Sequence, residues 1–195
     1  MRKRRKDMNS CATYAPDRVE RCRRRVKAEP ASAAAHLSLG TALMEINRAR
    51  EAESAFHRAL ELQPDFPEAL VNLGGVLLSR WDFQGCVELN RKAAEAKPEL
   101  MLAHYNEGLG HLYLGEGEAM VACFQRALEL DPANPACEYY LAVGLLAAGA
   151  VGESRTHLDV AVAGGFSPVP EFLKALEKAE GRPHPVQEAA EQPRV

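Results

Sequence analysis

Aromatic residues make up only 6% of this 195-residue chain, and runs of β-branched residues are scarce. Both shortages argue against a sheet, whose strands favour those side chains. The five cysteines, Cys11, Cys22, Cys86, Cys123 and Cys137, form no C-x-x-C pair, and their number is odd. They read as reduced thiols of a cytosolic protein, not as a disulfide framework. The longest stretch low in charge, residues 139–152, is too short to span a bilayer and contains glycines. The charged start MRKRRKDMNSCATYAP has no apolar run after it, so no secretory leader is predicted. A cytoplasmic location is expected, with peripheral association to a membrane complex also compatible. No G-x-S-x-G, H-E-x-x-H or G-x-G-x-x-G occurs. Gly110 and Gly115 have phosphate-loop spacing, but Glu116 follows where a lysine is required. No enzyme, cofactor or small-molecule substrate is expected.

What is present is alanine, leucine and charge, a helical composition. The charge is unevenly spread. Residues 1–30 hold eleven Lys/Arg against four Asp/Glu, net +7, and the rest thirteen against twenty-three, net −10. A basic arm therefore precedes an acidic body.

A period of 34 residues dominates the body. Pro30, Pro64, Pro98 and Pro132 keep that step, as do Ala59, Ala93, Ala127 and Ala161. Gly40, Gly74 and Gly108 share it, with Ala142 next. The segments ALELQPDFPEA from Ala59 and ALELDPANPAC from Ala127 nearly copy each other. Small residues at fixed sites let two helices approach closely, larger Leu and Phe fill the space, and proline ends the second helix.

A 34-residue helix–turn–helix unit with Leu-Gly early, a small residue midway, then an aromatic, Ala and Pro resembles the tetratricopeptide repeat. Four units fit: 33–66, 67–100, 101–134 and 135–168. The first carries Leu39-Gly40, Ala52, Phe56, Ala59 and Pro64. The second departs at Cys86 and Asn90, the third has Glu107 where leucine is usual, and the fourth has Phe166 in place of the closing proline. The resemblance implies an all-α solenoid of stacked antiparallel helix pairs, a superhelix of about ten helices. Residues 17–30 read as a half-repeat helix and 170–180 as a capping helix. In the latter, Phe172, Leu173 and Leu176 face the stack. Residues 1–16 and 181–195 read as disordered.

The resemblance also implies a concave surface lined by the first helices. Helical spacing places Val71, Asn72 and Ser79 on it in the second unit, with Leu37, Ser38, Thr41, Met44 and Glu45 in the first. Tyr105, Asn106, Leu109, Leu112 and Tyr113 follow in the third, and Tyr139, Tyr140, Val143 and Leu146 in the fourth. Asn72 and Asn106 hold equivalent sites, an arrangement similar to asparagine ladders that hold extended peptides in tetratricopeptide proteins. Four of five tyrosines fall on this face, where large contact area with a polar tip suits binding. No basic residue stands at these sites, which disfavours the carboxylate clamp of chaperone-tail binders. The function implied is a protein–protein scaffold that holds an extended segment of another protein. The alternative is recruitment to nucleic acid or an anionic membrane surface through residues 2–6 and 21–27.

His104, Glu107 and His111 share one helical face. His104 matches a packing site and His111 a recurring leucine, so no metal site is expected from them. Cys86, Cys123 and Cys137 fall at sites for small residues and read as core. Trp81 stands at the turn of the second unit, where glycine is usual, either as an exposed anchor or as a cover on the neighbouring turn.

Overall fold

A computed structural model describes residues 10–181. The basic segment 2–6 and the tail 182–195 lie outside the described residues, as does the side chain of Cys11. Among the described residues there are ten helices and no strand. They are α1 (Ser10–Ala28), α2 (Ala33–Glu45), α3 (Ala49–Leu62), α4 (Pro67–Ser79) and α5 (Phe83–Ala96), then α6 (Met101–Leu114), α7 (Gly117–Leu130), α8 (Pro135–Ala147), α9 (Val151–Ala163) and α10 (Pro170–Ala179). Helix α1 starts at Ser10, seven residues before the expected 17, so 10–16 are helical and not part of a disordered arm. Pro16 does not interrupt it, since the φ that its ring imposes is itself a helical value. No described helix is long and apolar enough to cross a membrane.

The chain divides into two units, residues 1–98 and 99–195. In the first, α1 packs on α2, α2 pairs with α3, α3 meets α4, and α4 pairs with α5. Its core joins Val19, Ala42, Leu43, Ala52, Phe56, Leu73 and Val76. In the second, α6 pairs with α7, α7 meets α8, α8 pairs with α9, and α10 covers α9. Met120, Phe124, Ala127, Cys137, Leu141 and Leu145 form one of its cores. Tyr139, Ala142, Leu158, Ala161, Phe172 and Leu176 form the other.

Local chemistry explains the punctuation. Pro64, Pro98 and Pro132 each follow a residue forced out of the helical region: Gln63 (φ −144°, ψ 93°), Lys97 (−146°, 83°) and Asp131 (−138°, 82°). The proline ring clashes with a helical conformation one residue earlier, so α3, α5 and α7 stop there. The fourth pair lacks that proline and stops differently. Gly165 at φ 89° reverses the chain, and the Phe166 amide donates to the Ala161 carbonyl at 2.9 Å, a left-handed glycine cap.

Inside each pair the turn residue also has positive φ: Asn47 (60°), Trp81 (66°), Gly115 (76°) and Gly149 (80°). The next amide then donates to a carbonyl five residues back, as from Asp82 to Leu77 at 3.0 Å. Trp81 is the costly member of this set, because a bulky side chain is strained there. It is 76% exposed and meets Phe83 edge-on with centroids 6.0 Å apart.

The glycines permit close approach. A Cβ on Gly108 would lie 2.9 Å from Phe124 Cζ, and one on Gly40 would overlap the Phe56 ring still more closely. On Gly74 it would meet the Asn90 amide instead. Ala59, Ala93, Ala127 and Ala161 are fully buried.

Candidate functional site

In the first unit the face carried by α2 and α4 is largely self-satisfied. The Ser38 hydroxyl donates to the Ala34 carbonyl at 2.8 Å, Thr41 to Leu37 at 3.1 Å and Ser79 to Val76 at 2.7 Å. Asn72 Nδ2 donates to the Glu68 carbonyl at 2.6 Å, which leaves its amide oxygen and second N–H for other use. Val71 is 2% exposed and so belongs to the interior, not to an open face. Helical spacing alone cannot register the neighbouring helices that cover it.

The second unit presents a different surface. On α6, Leu102 and Tyr113 are 44% and 55% exposed, one at each end of the helix. Between them lie Tyr105, Leu109 and Leu112, half-buried, joined by Tyr140 from α8. Tyr105 meets Phe124 edge-on at 5.8 Å and Tyr140 at 6.2 Å, while Phe124 and Tyr140 stack at 5.3 Å. These rings hold one another, so the two half-buried tyrosines offer a rigid apolar floor. Burial pushes the Tyr105 phenol up to about 12, with neighbouring Tyr140, Cys137 and Tyr113 adding to the shift. Burial likewise raises Tyr140. Both phenols therefore serve as neutral hydroxyls.

Two residues expected on this face are instead covered. Tyr139 is 5% exposed, stacked on Phe166 at 4.4 Å and edge-on to Phe172 at 5.3 Å. Its ring is turned toward α10, which helical spacing within α8 could not reveal. Asn106 is 8% exposed and sits at the base of the strip with hydrogen-bonding or electrostatic partners of its own. Of the four tyrosines assigned to the surface, one is open, two are half-buried and one is core.

The basic stretch 21–27 of α1 is exposed, yet parts of it and its surroundings are neutralised within the first unit. Arg23 pairs with Glu51 at 3.3 Å, Arg25 with Glu29 at 3.4 Å, and Arg18 with Glu45.

The pairing of α6 with α7 makes one grouping that sequence spacing did not assemble. Cys123, from the next helix, lies beside Glu107 and His111. The signal available in the sequence was the pair of leucine sites at which Glu107 and His111 stand.

The tetratricopeptide repeat profile matches residues 37–100 and 105–168. FlbA of Caulobacter vibrioides is 30% identical over 139 residues, which is 69% of this chain and 23% of that protein. The chain thus spans less than a quarter of the length of that relative. Two solved structures share the fold. PilF of Pseudomonas aeruginosa has a TM-score of 0.76 at 19% identity, over 89% of this chain and 80% of that one. YrrB, described as a TPR protein with an unusual peptide-binding site, has a TM-score of 0.66 at 17% identity, over 89% and 87%. With a repeat profile that covers more than half of its length, on helix pairs that recur every 34 residues, this chain belongs to the tetratricopeptide repeat family, whose fold suits a protein-interaction scaffold.

Proposed function

We propose that the protein is a scaffold whose second unit holds an extended segment of another protein along the α6–α8 face. The observation that carries this reading is the strip in which exposed Leu102 and Tyr113 flank the half-buried Tyr105, Leu109, Leu112 and Tyr140. Neutral hydroxyls on pre-ordered rings give contact area at little entropic cost, the property that makes tyrosine frequent at binding hot spots. The Asn106 amide at the base of the strip has the donor and acceptor types that would match a peptide group of the guest. In the first unit, Asn72 supplies the same chemistry. No basic side chain stands along the face, so an apolar segment with uncharged polar residues fits better than an acidic tail. The fold shared with YrrB, a protein described by its peptide-binding site, supports the same reading.

The test uses a photoreactive residue in place of Tyr113 in the full chain, in its host. Crosslinked partner segments are then synthesised and titrated. Tyr113→Ala with Leu102→Ala is expected to weaken binding at least about tenfold, or ~1.4 kcal/mol. Both side chains are exposed, so folding is preserved. Unchanged affinity in that double variant sinks the proposal.

A further inference from the structure

We propose that Glu107, His111 and Cys123 form a binding site for a divalent metal ion of the zinc class, clasping α6 to α7 within the second unit. The first support is the repeat itself. Positions 39, 73, 107 and 141 read Leu, Leu, Glu, Leu, and positions 43, 77, 111 and 145 read Leu, Leu, His, Leu. Only the third repeat places titratable groups at these sites. The fold nevertheless buries them: Glu107 is 8% and His111 5% exposed, close to Leu73 and Leu141 at 2% and Leu145 at 9%. Burying a carboxylate and an imidazole in place of two leucines costs free energy unless partners compensate.

The second support is geometry. Glu107 and His111 are one helical turn apart on α6, and Cys123 faces them from α7. One ligand atom from each residue lies within 4.8 Å of the other two. His111 Nε2 and Glu107 Oε1 are 3.7 Å apart. Two ligands held ~2.0 Å from one tetrahedral ion stand about 3.3 Å apart, so the pair is near coordination distance already. Small side-chain movements bring the thiol into range.

The third support is the orientation of the imidazole. His111 Nδ1 lies 2.5 Å from Glu116 Oε2. An ionised carboxylate only accepts, so Nδ1 carries the hydrogen and donates it. That leaves the Nε2 lone pair aimed at Glu107 and Cys123. A carboxylate that fixes the tautomer from behind is the usual outer partner of a metal-binding histidine. A lone pair facing a carboxylate needs a positive charge between them. The candidates are a proton, which makes His111 an imidazolium and Cys123 a bystander, and a metal ion, which uses all three residues. Nitrogen, sulfur and oxygen together suit zinc or cobalt(II) and not calcium or magnesium. Glu107 and Cys123 have other partners in the protein, so metal entry exchanges those contacts for coordination and releases the thiol proton. Glu116 is exposed at the rim, where water or a partner's ligand can take a fourth position.

Cobalt(II) titration of the metal-stripped full chain separates the two charges. The metal site predicts one equivalent bound, with a near-ultraviolet sulfur-to-cobalt absorption that zinc erases. Cys123→Ser removes that absorption, and Glu116→Gln weakens zinc binding about 10- to 100-fold. The double variant Glu107→Leu/His111→Leu restores the residues of the other repeats and is expected to fold. Zinc should raise the Tm of the wild type and leave that of the double variant unmoved. Absence of the sulfur band, or an equal zinc-induced shift in the double variant, overturns the proposal in favour of the imidazolium.

Discussion

In the first unit the space over a close-approach glycine is filled once by a ring, Phe56 against Gly40, and once by an amide, Asn90 against Gly74. In the second unit Phe124 against Gly108 begins a run of touching rings that continues through Tyr140, Tyr139 and Phe166. The backbones at these three sites are alike, so the glycine sets the approach and the filler sets its energy. An aromatic filler gains burial and ring contacts. The amide is fully buried, donates from Nδ2 to the Cys86 carbonyl at 2.8 Å, and leaves Oδ1 without a partner. That orphaned acceptor subtracts about 1–3 kcal/mol. The second repeat should thus be the weak joint of the first unit.

Four measurements sharpen or break this contrast. The largest effect is expected from Phe124→Ala, which should lower unfolding free energy by about 3–5 kcal/mol, whereas Asn90→Ala should cost far less. Equal losses in denaturant titrations would erase the distinction between fillers.

Alkaline pH comes next. The Cys137 thiol and the Tyr105 phenol are both pushed up to about 12, chiefly by burial. Their unfolded-state values are the ordinary ones near 9 and 10. The folded chain therefore holds protons that the unfolded chain releases. Stability from these groups is complete below about pH 9 and is lost as pH climbs toward about 12. Both sit in the second unit, so exchange-protection loss between pH 9 and 11 should begin there. Loss that begins in the first unit contradicts the assignment.

Glycine replacement separates the fillers directly. Gly40→Ala must displace a phenyl ring and should cost about 1–3 kcal/mol. Gly74→Ala meets only the end of an asparagine side chain and should cost less, as thermal melts of the pair would reveal. The smallest effect is a gain. Asn90→Phe installs the filler of the first and third repeats and removes the orphaned oxygen, for about 1 kcal/mol of added stability. A loss on that substitution would mean that the amide is there for a purpose other than packing.

The fold was legible because its determinants are local and repeat. Gly40, Gly74 and Gly108 mark where helices touch, and a proline after an extended residue marks where one ends, so period alone identifies the architecture. The site was legible only in part. Spacing along one helix assigns a face, but whether that face is open depends on the neighbouring helices. Val71 and Tyr139 were therefore placed outside when they are inside, and Tyr113 alone among the four tyrosines is open. Cys123 joins Glu107 and His111 across a helix pair, a relation that no single-helix pattern contains. The start of α1 at Ser10 was missed because Pro16 does not break that helix.

The last helix settles where the stack stops. Phe172 and Leu176 of α10 close over Tyr139, Ala142 and Leu158, and Arg155 grips Glu180 at the helix end through two hydrogen bonds of 2.7 and 2.8 Å. With its other side given over to Lys174 and Lys178, α10 offers no sticky surface on which a further helix pair could seat. A gene shortened before residue 170 would leave the ring ladder of Tyr139 and Phe166 bare, and the shortened chains would find that ladder in one another. The ten-residue terminal helix thus guards solubility, a duty distinct from anything the inner face grips.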